Sequence, residues 1–189
     1  MRLAVFGGSF DPVHLGHLAV ADAVHAALAP DLLLWIPAGR APHKPDAAPA
    51  EAEDRAALLA LALAGRPREE LRRDELERPG PSYTVDTLEA LAVEFPGAEL
   101  LLVLGGDSQE HWASWRRLDR ILELATPVWF PRRGWERLQP GIPGRMLAMP
   151  LVDLAATELR RRLAAGEDCA DALPSAVAAE IGRRGLYRA

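Results

Sequence analysis

Two histidines three residues apart, His14 and His17, stand directly after a glycine turn in this 189-residue chain. Residues at i and i+3 share a helix face. A helix that opens at His14-Leu15-Gly16-His17 and runs through Leu18, Val20, Ala21, Val24 and Leu28 would hold both imidazoles at its N-terminus. The free N–H groups and positive dipole end found there favour phosphate. Upstream, Leu3-Ala4-Val5-Phe6 reads as a buried strand, and Gly7-Gly8-Ser9 as a turn where backbone can approach a ligand closely. A lone His-x-x-His is more often an ordinary core or surface pair, and Gly-Gly after a strand is usually only a turn. Strand, glycine turn and paired imidazoles at a helix mouth, in that order, predict a site for a polyphosphate undergoing reaction.

Two common phosphate motifs are excluded. No third glycine follows Gly7-Gly8 at the dinucleotide spacing, and Trp35-Ile36-Pro37 stands where an acidic residue should end the second strand. The chain contains no Gly-Lys-Ser/Thr, so it has no P-loop. A further candidate is Lys44, the single lysine among 22 lysines and arginines. In a chain so biased toward arginine, one retained lysine suggests that a compact ammonium is needed, because the two cations differ in shape and hydration. Chance retention in a surface loop is the plainer alternative. Pro42 and Pro45 restrict the backbone on either side of Lys44, while His43 reads as a solvent-facing neighbour.

The elements that must position these groups alternate strand and helix, which predicts a single α/β domain over residues 1–189, a Rossmann-like doubly wound parallel sheet with helices on both faces. Strands are expected at Leu3–Phe6, Leu32–Ile36, Leu100–Leu104, Val128–Phe130 and Met146–Met149. Helices are expected at Gly16–Leu28, Glu51–Leu63, Leu118–Leu124, Thr157–Ala165 and Pro174–Arg184. Another runs to Phe95 from a cap at Ser82 or Thr84, after the Pro79-Gly80-Pro81 turn. Glu70–Glu77 is ambiguous, weakly helical in period where the rhythm asks for a strand. In such sheets ligands collect at the carboxyl ends of strands. His17, Lys44 and Gly106-Asp107 all follow strands in that sense.

Composition narrows the classes. A net charge of −5 argues against nucleic acid as a partner, and no apolar run is long enough to span a membrane. The basic runs Arg132-Arg133 and Arg160-Arg161-Arg162 read first as solvated surface. One cysteine, Cys169, rules out an internal disulfide framework and any multi-cysteine metal site, and the cytoplasm is the expected compartment.

Gly8-Ser9-Phe10-Asp11-Pro12-Val13-His14-Leu15-Gly16-His17 resembles the signature of the nucleotidylyltransferase superfamily, and within it the bacterial nicotinate-nucleotide adenylyltransferase family. Similar segments recur almost to the C-terminus. The resemblance implies transfer of the adenylyl group of ATP to nicotinate mononucleotide, with Mg²⁺ carried mainly on the ATP phosphates and no metal ligands from the protein. It implies catalytic roles for His14, His17 and Lys44. It places ATP against Gly7, Gly8, Ser9, Phe10, Gly16, Gly105, Asp107, Thr157 and Arg160, with Thr157 capping the helix that carries Arg160. Pro81-Ser82-Tyr83-Thr84 and Trp112-Ala113-Ser114-Trp115-Arg116 resemble the family's acceptor segments. They imply nicotinate mononucleotide at Ser82, Tyr83, Thr84, Trp115 and Arg116, with Trp115 stacked on the pyridine and Trp112 in the core. Ala155 and Ala156 replace two serines of the family pattern, and Arg116 replaces a tyrosine. A related transferase acting on nicotinamide mononucleotide or phosphopantetheine remains an alternative, as does a nucleotide-binding regulator with impaired catalysis. Homo-oligomerisation is compatible with all of these.

Overall fold

Strand β1 (Arg2–Gly8) sits inside a six-stranded sheet whose order is β3-β2-β1-β4-β5-β6, with β2 at Leu32–Pro37, β3 at Glu69–Leu71, β4 at Glu99–Gly105, β5 at Ala125–Phe130 and β6 at Arg145–Met146. Every neighbouring pair is parallel. The computed structural model describes residues 1–40 and 50–188, so Lys44 and His43 lie outside the described residues.

Period-two alternation along the strands divides the core between two faces. Ala4, Phe6, Leu33, Trp35, Leu101 and Val103 pack on one side against α1 (Leu15–Leu28), α2 (Ala52–Leu63), α6 (Ala156–Ala164) and α7 (Ser175–Arg184). Leu3, Val5, Leu34, Ile36, Leu100 and Leu102 face the other side, against α4 (Thr84–Glu94) and α5 (Leu118–Leu124). Helices on both faces of a parallel sheet make the doubly wound α/β fold expected from the strand–helix rhythm. Order reverses where β1 leaves β2 on one side and β4 on the other, and the crevice at the carboxyl ends of those strands is where such sheets bind ligands.

Some local expectations change. The ambiguous Glu70–Glu77 stretch contains both elements, β3 and then a one-turn helix α3 (Asp74–Glu77). Its strand half is held by tertiary contacts that no local period reveals. Glu69, whose side chain is 3% exposed, accepts the Trp35 indole N–H at 2.9 Å and pairs with Arg66 at 2.7 Å. The final strand is shorter than expected, Arg145–Met146 rather than Met146–Met149. Neither Ser82 nor Thr84 caps α4; the cap position is Tyr83, with no side-chain bond. The Ser82 hydroxyl instead accepts the Gly39 and Arg40 N–H groups at 3.0 and 3.3 Å, tying this turn to the end of β2. Among the described residues no helix is long and apolar enough to cross a membrane.

Candidate active site

A cleft of about 800 Å³ opens at the switch point, lined from the β1 turn, the end of β4, the end of β5 and the N-terminus of α6. His14 is the N-cap of α1, and its ring stacks on that of His17 with centroids 3.7 Å apart and planes 25° from parallel. The backbone N–H of His14 donates to His17 Nδ1 at 3.2 Å. An Nδ1 that accepts cannot carry the proton, so neutral His17 holds its proton on Nε2. His17 also lines the cleft, which makes that N–H a fixed donor to whatever binds there. Gly16 permits the arrangement: a Cβ on it would lie 2.9 Å from His14 Nδ1 and 3.0 Å from Val152 Cγ1.

Both imidazoles are uncharged near neutrality. Burial pushes His14 down to about 4, with Arg132 adding to the effect. Burial also holds His17 well below the usual histidine range, helped by His14 and Arg132. The consequence for stability has a definite sign. Between pH 6.5 and about 4 the unfolded chain takes up a proton at His14 that the folded chain refuses. The His14 contribution to stability therefore falls as pH drops through that window and levels off below it. The cost approaches about 3 kcal/mol. Urea unfolding of substrate-free protein from pH 7 to 4 should show this decline, and His14→Asn should flatten part of it. An unchanged slope in the variant would place the titration elsewhere.

The β1 turn is clamped from behind. Phe10 adopts a left-handed backbone (φ 47°), which costs an L-residue roughly 1–2 kcal/mol, and its ring packs edge-on against Phe6 at 5.4 Å and His17 at 5.0 Å. Arg55, 2% exposed, donates to Ser9 O and to Ala38 O, each at 2.7 Å. One guanidinium thus joins the turn after β1 to the loop after β2. At the end of β4, a Cβ on Gly105 would fall 2.4 Å from Asp107 Oδ1, so glycine lets the Asp107 side chain fold back over its own strand end.

Gly7, Gly8, Ser9, Phe10, Gly16, Gly105, Asp107, Thr157 and Arg160 all line the cleft, together with Ser82, Thr84 and Trp115. Tyr83 and Arg116 stand together: the Arg116 guanidinium lies 4.6 Å over the Tyr83 ring. Two expectations need correction. Thr157 does not cap α6, whose cap position is Ala155 without a side-chain bond; its hydroxyl accepts from Arg160 at 3.3 Å. Arg132 is not simply a solvated charge: it reaches the cleft, donates to Leu154 O at 3.1 Å and stands 3.9 Å from Asp107 Oδ1. Its neighbour Arg133 is the exposed member of that pair.

Trp112 is 3% exposed and packs in the core, while Trp115, 5.0 Å from it, lines the cleft as a half-buried platform. Near it, the first N–H groups of α4 have no intrahelical acceptor. Two cationic side chains, two neutral imidazoles and a second helix N-terminus at α6 therefore line the cleft. An aromatic face and the α4 N-terminus line it as well. The first group suits a triphosphate, and the second a flat ring bearing an anionic substituent.

The cytidylyltransferase-like family model matches residues 5–162. A protein of Thermus thermophilus named "Probable nicotinate-nucleotide adenylyltransferase" is 43% identical over 188 residues, covering 100% of both chains. A protein of the same name from Thermomicrobium roseum is 39% identical, with 99% of this chain and 92% of that one covered. Among solved structures, Plasmodium falciparum nicotinic acid mononucleotide adenylyltransferase complexed with NaAD gives a TM-score of 0.83 at 17% identity, with 98% and 97% of the chains covered. At that identity the likeness is one of fold.

Proposed function

The chain belongs to the bacterial nicotinate-nucleotide adenylyltransferases of the cytidylyltransferase-like family, and we propose that it transfers the adenylyl group of ATP to nicotinate mononucleotide in the cytoplasm, a step of NAD biosynthesis. A phosphate oxygen of the mononucleotide attacks the α-phosphorus of ATP. The bond from that phosphorus to the α–β bridging oxygen breaks, pyrophosphate leaves with the bond electrons, and nicotinate adenine dinucleotide forms. The attacking phosphate is already ionised at neutral pH, so no strong base is required, and catalysis is positioning plus stabilisation of developing charge.

The observation that carries this reading is the stacked His14–His17 pair with its proton fixed on His17 Nε2, at the switch-point cleft. A neutral donor stabilises charge on a phosphoryl oxygen without a competing proton transfer. Arg132 and Arg160 add charge for the triphosphate. Mg²⁺ would be carried on ATP oxygens rather than in a protein cage, since it prefers phosphate oxygens and few protein ligands. There the metal would neutralise charge on the leaving pyrophosphate.

The test is direct: purified protein, ATP and Mg²⁺ are incubated with nicotinate mononucleotide, nicotinamide mononucleotide or phosphopantetheine, and dinucleotide and pyrophosphate are measured. Product from phosphopantetheine alone, or from no acceptor, would overturn the assignment.

Lys44, which follows β2 in sequence, enters the proposal as a phosphate-binding cation. Lys44→Ala should raise the KM for ATP and lower kcat while leaving the melting temperature near that of the wild type. Lys44→Arg should restore activity only in part, since guanidinium and ammonium differ in shape. Full activity in the alanine variant would return Lys44 to an ordinary surface role.

A further inference from the structure

Near its C-terminus the chain returns to the β1 turn. Gly185 and Tyr187 both adopt left-handed backbone, φ 67° and 61°, reversing the chain after α7. The Tyr187 hydroxyl then donates to Asp11 Oδ1 at 2.7 Å, across 176 positions of sequence. The anchor is firm: Val177 and Ile181 of α7 lie in the core, and Arg184 pairs with Asp54 of α2 at 2.7 Å.

Asp11 is 1% exposed, and its Oδ2 is buried without a hydrogen-bond partner. Burial pushes the Asp11 carboxyl above the usual carboxylate range, and the Tyr187 hydroxyl, Arg160, Arg55 and the Ala50 backbone oppose that rise. Arg55 is committed to Ser9 O and Ala38 O. Arg160 holds a long ion pair with this carboxyl and no direct side-chain hydrogen bond: Nη1 donates to the main-chain oxygen of Asp11 at 2.7 Å and stands 3.7 Å from Oδ2. A buried carboxylate oxygen beside a guanidinium gains strongly from a close, hydrogen-bonded pair. Rotation of the carboxyl toward Arg160 would tighten the pair to that form and commit the guanidinium to Asp11 before any phosphate arrived. The Tyr187 bond to Oδ1 opposes this rotation.

We infer that Tyr187 is a positioning residue for ATP: its hydroxyl restrains the Asp11 carboxyl, so that the Arg160 guanidinium remains available to the triphosphate instead of closing onto Asp11. This rests on the adenylyltransferase reading, and it assigns to the C-terminal turn a part in substrate binding.

Tyr187→Phe deletes only the restraining donor. It should raise the KM for ATP about tenfold, the scale of one lost polar interaction, and leave the KM for nicotinate mononucleotide unchanged. In an Arg160→Ala background the same substitution should add almost nothing, because the residue through which Tyr187 acts is gone. A purely structural role predicts a smaller folded fraction, read as lower kcat with both KM values unchanged; that result, or an equal KM rise in both backgrounds, overturns the proposal.

If Tyr187→Phe does not fold, Asp11→Asn serves. It keeps a carbonyl acceptor for Tyr187 and removes the charge that draws Arg160 inward, so the KM for ATP should equal or fall below the wild-type value; a tenfold rise would count against the proposal. Calorimetric binding of a β,γ-methylene analogue of ATP to the same full-length variants reads the effect without turnover. Should the wild type make no dinucleotide, the function fails while this positioning role is still decided by binding.

Discussion

A folded His17→Ala enzyme should turn over about 10²–10³ times more slowly than the wild type while binding ATP nearly as well. The His14 backbone N–H fixes His17 Nε2 as the protonated nitrogen, and stacking on His14 fixes the plane of the ring. Such a donor needs no reorganisation as charge develops on the α-phosphoryl group, so its loss appears in kcat rather than in affinity. His17→Asn should recover part of the rate through its amide N–H, although the acceptor for the His14 backbone would then share the same small group. Steady-state kinetics beside a thermal melt separates the chemistry from the fold. Near wild-type kcat in the alanine variant would remove His17 from the mechanism.

The second large effect concerns the acceptor. Nicotinate and nicotinamide mononucleotides differ only in a carboxylate against an amide. With the ring on Trp115, that substituent would meet the free N–H groups at the start of α4, near Thr84. A carboxylate accepts from them with both oxygens, whereas the amide NH₂ cannot accept. Each buried N–H left unpaired costs roughly 1–3 kcal/mol. The amide keeps one accepting oxygen, so one donor is left unpaired, and the kcat/KM ratio should favour the acid by about 10- to 10²-fold. Trp115→Ala should weaken both acceptors alike and leave ATP affinity little changed, because stacking does not distinguish acid from amide. Equal kcat/KM for the two acceptors would remove acid selectivity while leaving adenylyl transfer in place. The Arg116 guanidinium lies over the Tyr83 ring, so the expected discrimination is attributed to main-chain donors and not to that cation.

Local sequence carried what local physics decides. The Leu-Ala-Val-Phe strand, the glycine turn and the His-x-x-His helix start form because neighbours in sequence specify them, and the structure extends β1 only to Arg2–Gly8. The ring of site residues at strand ends follows from the parallel fold. Groups whose partners are far apart were illegible. Arg55 lies within an Ala/Leu-rich helix and looks like a surface cation, yet it is 2% exposed because Ser9 and Ala38 supply carbonyls from two other loops. Arg132 looked like half of a solvated pair because nothing nearby reveals that Leu154 O and Asp107 flank it. Ser82 carried a correct local signal for a helix start, but its hydroxyl serves the loop after β2, a choice that only tertiary structure makes.

The sheet order bears on how this protein would wear out. β1 and β4 are flanked by strands on both sides, while β3 and β6, three and two residues long, form the margins. Edges of this kind fray with little free energy, whereas opening the centre requires cooperative rupture of the ladders on either side of it. The turn proposed to hold phosphate grows from β1, so partial unravelling at either margin leaves it undisturbed. Loss of function on heating should then coincide with loss of the entire sheet, with that turn among the last parts of the molecule to loosen.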